Sequence, residues 1–301
     1  MSIVFSRHVT VLAPLTAAML WGGMYVVAKW GLSVVPPVTL SFLRVALATV
    51  VLLAVVRATK PARTFTRSEW CRFIGLGVAI SVTLATQFLG TALTNASQSS
   101  LLTVMTPIFI LLLGVILLDE EVTRVKMAGV VIALIGTALV LSGQYDLSRL
   151  TDTNLGGIVS LFTASLAWAA YTVWGRDLVR KYSALETATY ATAISVPVLL
   201  AMTLVELWMR GSAIGKNVAS LSFLLGLAYL SVFATALAWY LWYKGLEYAD
   251  SGTIAVFFFA QPVVGSALGA FFLGEELGPL FFAGGLVMAI GLYVVSVRTK
   301  V

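Results

Sequence analysis

Apolar residues in this chain run together for about twenty positions at a time and stop at short polar or basic links, the length at which a helix crosses a bilayer. Ten runs follow one another: Val9–Trp30, Val38–Val56, Phe73–Leu89, Gln98–Leu118, Arg124–Leu141, Leu155–Trp174, Leu185–Trp208, Leu221–Tyr243, Thr253–Leu273 and Pro279–Val297. Pro36 and Pro37 mark a tight turn and a helix start before the second run. A basic link, Arg57 to Arg72, precedes the third run, and a polar link at residues 144–154 divides the chain into residues 1–143 and 155–301. The first run follows Arg7 and His8 as a signal peptide would. It is longer than a signal core, lacks a small-x-small cleavage site and carries Trp21 and Tyr25, aromatics that recur in the second half, so it reads as a membrane helix.

The two halves repeat. Gly90–Glu121 returns without gaps 155 residues later as Gly245–Glu276, which sets Gly90 on Gly245, Pro107 on Pro262, Leu113-Gly114 on Leu268-Gly269 and Glu120-Glu121 on Glu275-Glu276. The matches fall on prolines, glycines and an acidic stop, the positions that decide backbone shape. The register continues through Ala128-Gly129 on Ala283-Gly284 and Gly136 on Gly291. Because five spans is an odd number, the second copy crosses the membrane in the opposite sense. Inverted repeats of this kind hold a substrate site near the midplane between the halves. The predicted fold class is all-α integral membrane, with ten transmembrane helices as two inverted five-helix repeats.

Charge orients the bundle. Only 11% of the residues are charged, against about 25% in a soluble domain. On alternate sides, Lys and Arg number fourteen (Arg7, Arg57, Lys60, Arg63, Arg67, Arg72, Arg124, Lys126, Arg176, Arg180, Lys181, Lys244, Arg298, Lys300) against four (Lys29, Arg149, Arg210, Lys216). That bias places both termini in the cytoplasm. The net charge of +6 is thus a topology signal, and no nucleic-acid partner is expected. A single Cys (Cys71) and a single His (His8) exclude an internal disulfide and speak against a Cys/His metal site; no metal and no cofactor is expected.

With these features the chain resembles the drug/metabolite transporter superfamily, EamA type. The resemblance rests on the two five-helix copies, an early Trp motif in each (Trp21-Gly-Gly-Met-Tyr and Trp168-Ala-Ala-Tyr-Thr), a Pro in the fourth helix of each, and the endings Leu118-Asp-Glu-Glu and Leu273-Gly-Glu-Glu. It spans the whole chain and is most similar to YddG-like amino-acid exporters. The resemblance implies export of amino acids, other metabolites or drugs across a bacterial inner membrane. One departure is Ala169-Ala170 where the first copy has Gly22-Gly23, which implies a less close backbone approach there.

Candidate site residues follow from position. Trp21 and Tyr25, Trp168 and Tyr171, and Trp239 and Tyr243 are pairs that each share one helix face. Turned inward they make an aromatic cavity for an apolar side chain or an ammonium group; turned otherwise they pack or, for Tyr243 and Trp174, join an interfacial belt. Pro107 and Pro262 remove backbone donors within their runs, either kinking the helix or freeing carbonyls toward a cavity as gating points. Thr106 and Gln261 just before them, with Gln87, Gln98 and Ser99, are uncharged candidates for hydrogen bonds to a small-molecule substrate.

Arg44 lies roughly six residues into the second run, where a charge costs at least about 3 kcal/mol unless it snorkels or finds a partner. Snorkelling to the nearby surface is the expectation, with a substrate carboxylate as the other possibility. Glu120, Glu121, Glu275 and Glu276 stand at helix ends, as solvated ends or as a gate-closing ion pair. Gly265-x-x-x-Gly269 fits packing within one chain better than dimerisation, so a monomer in the lipid bilayer is expected.

The chain has no G-x-x-x-x-G-K-[ST] loop and no Ser/His/Asp set, and its predicted span centres hold no Asp or Glu. The leading expectation is a secondary exporter of amino acids or related zwitterions, not an enzyme, working by alternating access. A multidrug or quaternary-ammonium exporter is the second reading, although it would call for a midplane carboxylate. A membrane enzyme or scramblase is the third.

Overall fold

The computed structural model describes residues 2–94, 103–144, 155–210, 217–273 and 277–298. Gln98, Ser99, Glu275, Glu276 and the polar link fall outside the described residues, as does the side chain of Tyr25. The elements in chain order are α1 (Ser2–Leu32), α2 (Pro37–Thr59), α3 (Arg67–Leu93), α4 (Thr106–Leu118), α5 (Arg124–Gln144), α6 (Leu155–Lys181), α7 (Ala184–Arg210), α8 (Leu221–Leu246), α9 (Ser251–Ala255, Val256–Phe259 and Ala260–Leu273) and α10 (Pro279–Arg298). Seven described helices are long and apolar enough to cross a membrane, and the shorter apolar stretches His8–Met24, Thr106–Leu118 and Pro279–Val295 make up the ten.

The distribution of side chains is that of a protein solvated by lipid. Val50, Ile116, Leu155, Trp208 and Phe271 are exposed, while Thr187, Thr192, Ser195 and Thr235 are wholly buried. Most buried hydroxyls turn back to their own helix, although that of Thr187 has no partner: Ser81 donates to Gly77 O, Thr83 to Ala79 O and Thr137 to Ala133 O, each at 2.8 Å. A hydroxyl so bonded leaves no unmet donor where water is absent.

Helix ends are set by local chemistry that also ties the two halves together. Pro37 opens α2 at its first position, and Glu206 from the end of α7 accepts from Val38 N (3.1 Å) and Thr39 N (2.8 Å). Thr66 and Glu69 form a reciprocal capping box at the start of α3. Asp119 ends α4 in the left-handed region, with φ 52°, and turns Glu120 back toward the start of α9.

The inverted symmetry appears in the helix pairing. α1 packs on α8 and α9 as α6 packs on α3 and α4, while α2 packs on α7 and α5 on α10. At the α5–α10 contact the duplicated glycines meet crosswise. A Cβ on Gly136 would lie 2.6 Å from Gly284 O, and one on Gly291 would lie 2.7 Å from Gly129 O. The backbones therefore touch at a distance only glycine permits. Gly265, from the small-residue motif, faces Gly22 O of α1, so this part of α9 is engaged within the chain.

Two elements depart from regular α-helix. α8 contains a π-helical stretch, Tyr229–Leu237, and α9 a 3-10 turn, Val256–Phe259. Pro262 sits just after that turn, and Pro107 in the first turn of α4. Neither proline interrupts a continuous α-helix in the manner the sequence suggests. Each opens a new helical segment, where a missing N–H is tolerated.

Candidate functional site

A cavity of about 460 Å³, its open mouth included, lies in the middle of the bundle. Its wall is Trp21 and Met24 from α1, Arg44 from α2, Thr83, Leu84 and Gln87 from α3, Thr103 and Thr106 at the start of α4, Ala164, Ser165 and Trp168 from α6, Trp239 from α8, and Phe258 and Gln261 from α9. Both repeats contribute. The lining, aromatic and apolar side chains with converging polar groups, is that of a small-molecule site.

Aromatic rings form one side of this space. Trp21 meets Trp168 edge to face, with centroids 5.2 Å apart and planes at 88°, and Trp168 meets Trp239 at 5.8 Å. The indole N–H of Trp21 donates to Ala234 O at 3.0 Å, whereas that of Trp168 is buried with no partner. Tyr171 does not reach the cavity wall. It lies behind Trp168 (5.0 Å) and stacks at 4.7 Å on Tyr243, whose hydroxyl donates to Tyr171 O. Tyr243 is itself fully buried, not part of an interfacial belt; Trp174 is half exposed.

Arg44 overturns the snorkelling expectation, since its side chain is buried and lines the cavity. Nε donates to Thr235 Oγ1 at 2.9 Å, Nη1 to Met24 Sδ at 2.9 Å and Nη2 to Ala234 O at 3.1 Å, with Phe88 beneath the guanidinium. The π-helical turn in α8 presents Ala234 O to both Arg44 and Trp21, and inserts Thr235 beside them. Such π-turns free backbone groups for a function of this kind.

Toward the end of the bundle where α1 begins and α10 ends lies a cluster of polar groups. Glu120 Oε1 accepts from Ser251 N (2.8 Å), and Oε2 accepts from Ser251 Oγ (2.9 Å) and Gly252 N (3.0 Å). Arg176 Nη1 stands 3.1 Å from Glu120 Oε1, with side-chain exposures of 16% and 5%. A single carboxylate thus joins α4, α6 and α9. Beside it Lys126 pairs with Asp250 at 2.8 Å, and Arg180 Nη2 donates to Ala249 O at 3.1 Å. Burial pushes the Asp250 carboxyl up, but the Lys126 ammonium and the Thr253 N–H outweigh it and hold that carboxyl below its ordinary value. Glu121, by contrast, is exposed; its carbonyl receives Lys126 Nζ.

Of the residues singled out in the sequence, Trp21, Trp168, Trp239, Gln87, Thr106 and Gln261 come together on this cavity. Met24, Thr83, Ser165 and Phe258 were missed. Thr83 and Ser165 carried a weak signal, one turn before Gln87 and Trp168 on the same helix faces.

Two segments of the chain, residues 8–142 and 155–297, each match the EamA-like transporter family. An uncharacterized transporter of Archaeoglobus fulgidus is 28% identical over 282 residues, 93% of this chain and 94% of that protein. Proteins named probable amino-acid metabolite efflux pump are 26% identical in Salmonella typhimurium (93% of this chain, 92% of that protein) and 25% identical in Escherichia coli (96% and 95%). One crystal structure superposes with a TM-score of 0.77 over 95% of this chain and 97% of that chain, at 20% identity, and so establishes a shared fold alone. The chain is a multi-pass membrane transporter that belongs to the EamA-like transporter family.

Proposed function

We propose that this protein is a secondary transporter that exports amino acids or related small zwitterionic metabolites, neutral and aromatic ones favoured, across the bacterial inner membrane by alternating access. The observation that carries this reading is a mid-bundle cavity whose wall is drawn from both inverted halves; the Glu120–Arg176 pair between α4 and α6 is its candidate gate. The repeats are residues 1–143 and 155–301, joined by the link at 144–154, and because their helices pair across the repeats, each moving unit draws helices from both. Inverted halves around one central site can expose it to each side in turn.

The names of two relatives, as probable amino-acid metabolite efflux pumps, support the substrate class. The aromatic walls suit an apolar side chain. Among the described lining residues no carboxylate is present to neutralise a quaternary ammonium, which favours amino acids over organic cations. The basic bias toward the Glu120 end makes that end cytoplasmic, with both termini there and the protein acting as a monomer.

The test is uptake of a labelled amino-acid panel into proteoliposomes, competed with organic cations. Uptake of at least one neutral aromatic amino acid, indifferent to tetraphenylphosphonium, is the expected result. Uptake of organic cations with no amino acid moved overturns the reading.

A further inference from the structure

We infer that the cavity selects its substrate through a carboxylate held at Arg44, and that a substrate ammonium group is dispensable; this deepens the transport reading above and rests on it.

Arg44 is enclosed, with 1% of its surface exposed. A guanidinium has five N–H donors. Three are spent on Thr235, Met24 and Ala234, all of them uncharged, and no carboxylate pairs with Arg44 among the described residues. Two Nη hydrogens are therefore left over beside the cavity. A buried cation whose partners are all neutral still lacks a counter-charge, and a planar fork with spare donors matches the two oxygens of a carboxylate.

A second observation points the same way. The Trp168 indole N–H is buried on the same wall with no acceptor, although Trp21 across from it has found one in Ala234 O. An unmet donor at such a site calls for an acceptor on the ligand. The described lining thus offers one cation and one orphan donor, and no anion for an ammonium group. Gln87, Gln261 and Thr106 can meet either kind of polar group. The substrate class that follows is the monocarboxylate with an apolar or aromatic body: amino acids together with their deaminated counterparts.

The test measures binding to the purified full-length protein by calorimetry with four probes: phenylalanine, 3-phenylpropionate, phenylalaninamide and phenethylamine. Phenylalanine and 3-phenylpropionate are expected within about tenfold of one another. The two probes without a carboxylate should be at least about thirtyfold weaker, the loss expected when a charge-assisted hydrogen-bond pair is removed. Arg44→Gln should erase that preference. Where Arg44→Gln does not fold, Trp168→Phe keeps a smaller aromatic ring, removes the N–H and should weaken the two carboxylates about fivefold more than it weakens the amines.

Equal binding of phenylalaninamide and phenylalanine, binding of none of the four, or an intact preference in folded Arg44→Gln and in Trp168→Phe, overturns the inference. The two readings fail separately. Carboxylates that bind but are not moved in proteoliposomes would leave the Arg44 site standing and remove the transport reading for them. Phenylalaninamide carried as fast as phenylalanine would do the reverse.

Discussion

Replacing Glu120 by Gln strips the charge from the one carboxylate that joins α4, α6 and α9 while keeping its shape. The variant loses the ion pair with Arg176 and weakens three hydrogen bonds from Ser251 and Gly252. Breaking a fully buried pair costs about 3–5 kcal/mol. Arg176 keeps some contact with water, so a figure of about 2–3 kcal/mol fits this one better. If the layer is a gate, that energy shifts the closed-to-open equilibrium at this end by about 30- to 150-fold.

The reporter is Ala249→Cys in a Cys71→Ser background, since Ala249 is buried in the layer and Cys71 is exposed and the chain's single cysteine. An impermeant maleimide applied from the side of the termini should label Ala249→Cys tens of times faster in Glu120→Gln than in the parent, because labelling of a buried thiol follows the open population. Ala48→Cys, buried on α2 in a cluster with Leu52 and with Ala236 of α8, guards against general unfolding and should stay unreactive. Glu121→Gln, at an exposed side chain, should change nothing. Labelling at Ala249→Cys unchanged within about twofold in Glu120→Gln would refute the gate, as the ion pair would then be worth less than about 0.5 kcal/mol.

Three further outcomes follow from the same contacts. Gly136→Ala should lower stability by about 1–3 kcal/mol by driving a Cβ into Gly284 O and Met288 N, whereas Gly75→Ala, which meets nothing within 4 Å, should be neutral or mildly stabilising; thermal unfolding in detergent separates them. Because the Asp250 carboxyl is held below its ordinary value, its contribution is present in full above the unfolded value of about 3.9 and is lost as the pH falls through the folded one. The stability gap between the parent and Asp250→Asn should therefore stay constant from about pH 7 to 5 and close below about pH 4; a gap that widens in acid contradicts the sign. A pH gradient imposed without a substrate gradient should give no sustained accumulation of neutral amino acid, and accumulation abolished by a protonophore would redirect attention to Glu120, Glu186 and Glu206.

Span number, inversion and the three tryptophans of the aromatic wall were legible because each is written locally, in run length, in an ungapped repeat and in helix-face spacing; Phe258 was not. Arg44 was not legible. Its distance from the start of α2 suggests a surface within reach, and only the π-turn of α8, with nothing in the run to announce it, brings Ala234 O and Thr235 alongside. Tyr243 sits at the end of its run, where a belt residue belongs, yet Tyr171 of another helix covers it. Glu120 was visible as a repeated acidic stop, but its partners Arg176 and Ser251 come from the other half of the chain. Pro107 and Pro262 lie inside apolar runs, and a run does not reveal where one helical segment ends and the next begins.

Solute counterflow tests the central claim most directly. Proteoliposomes loaded with unlabelled phenylalanine and diluted into trace labelled phenylalanine should show a transient overshoot of label, because one cavity presented to each side in turn exchanges its occupant. Label that only rises to its equilibrium level, with no overshoot at any internal load, would contradict a carrier built around this cavity.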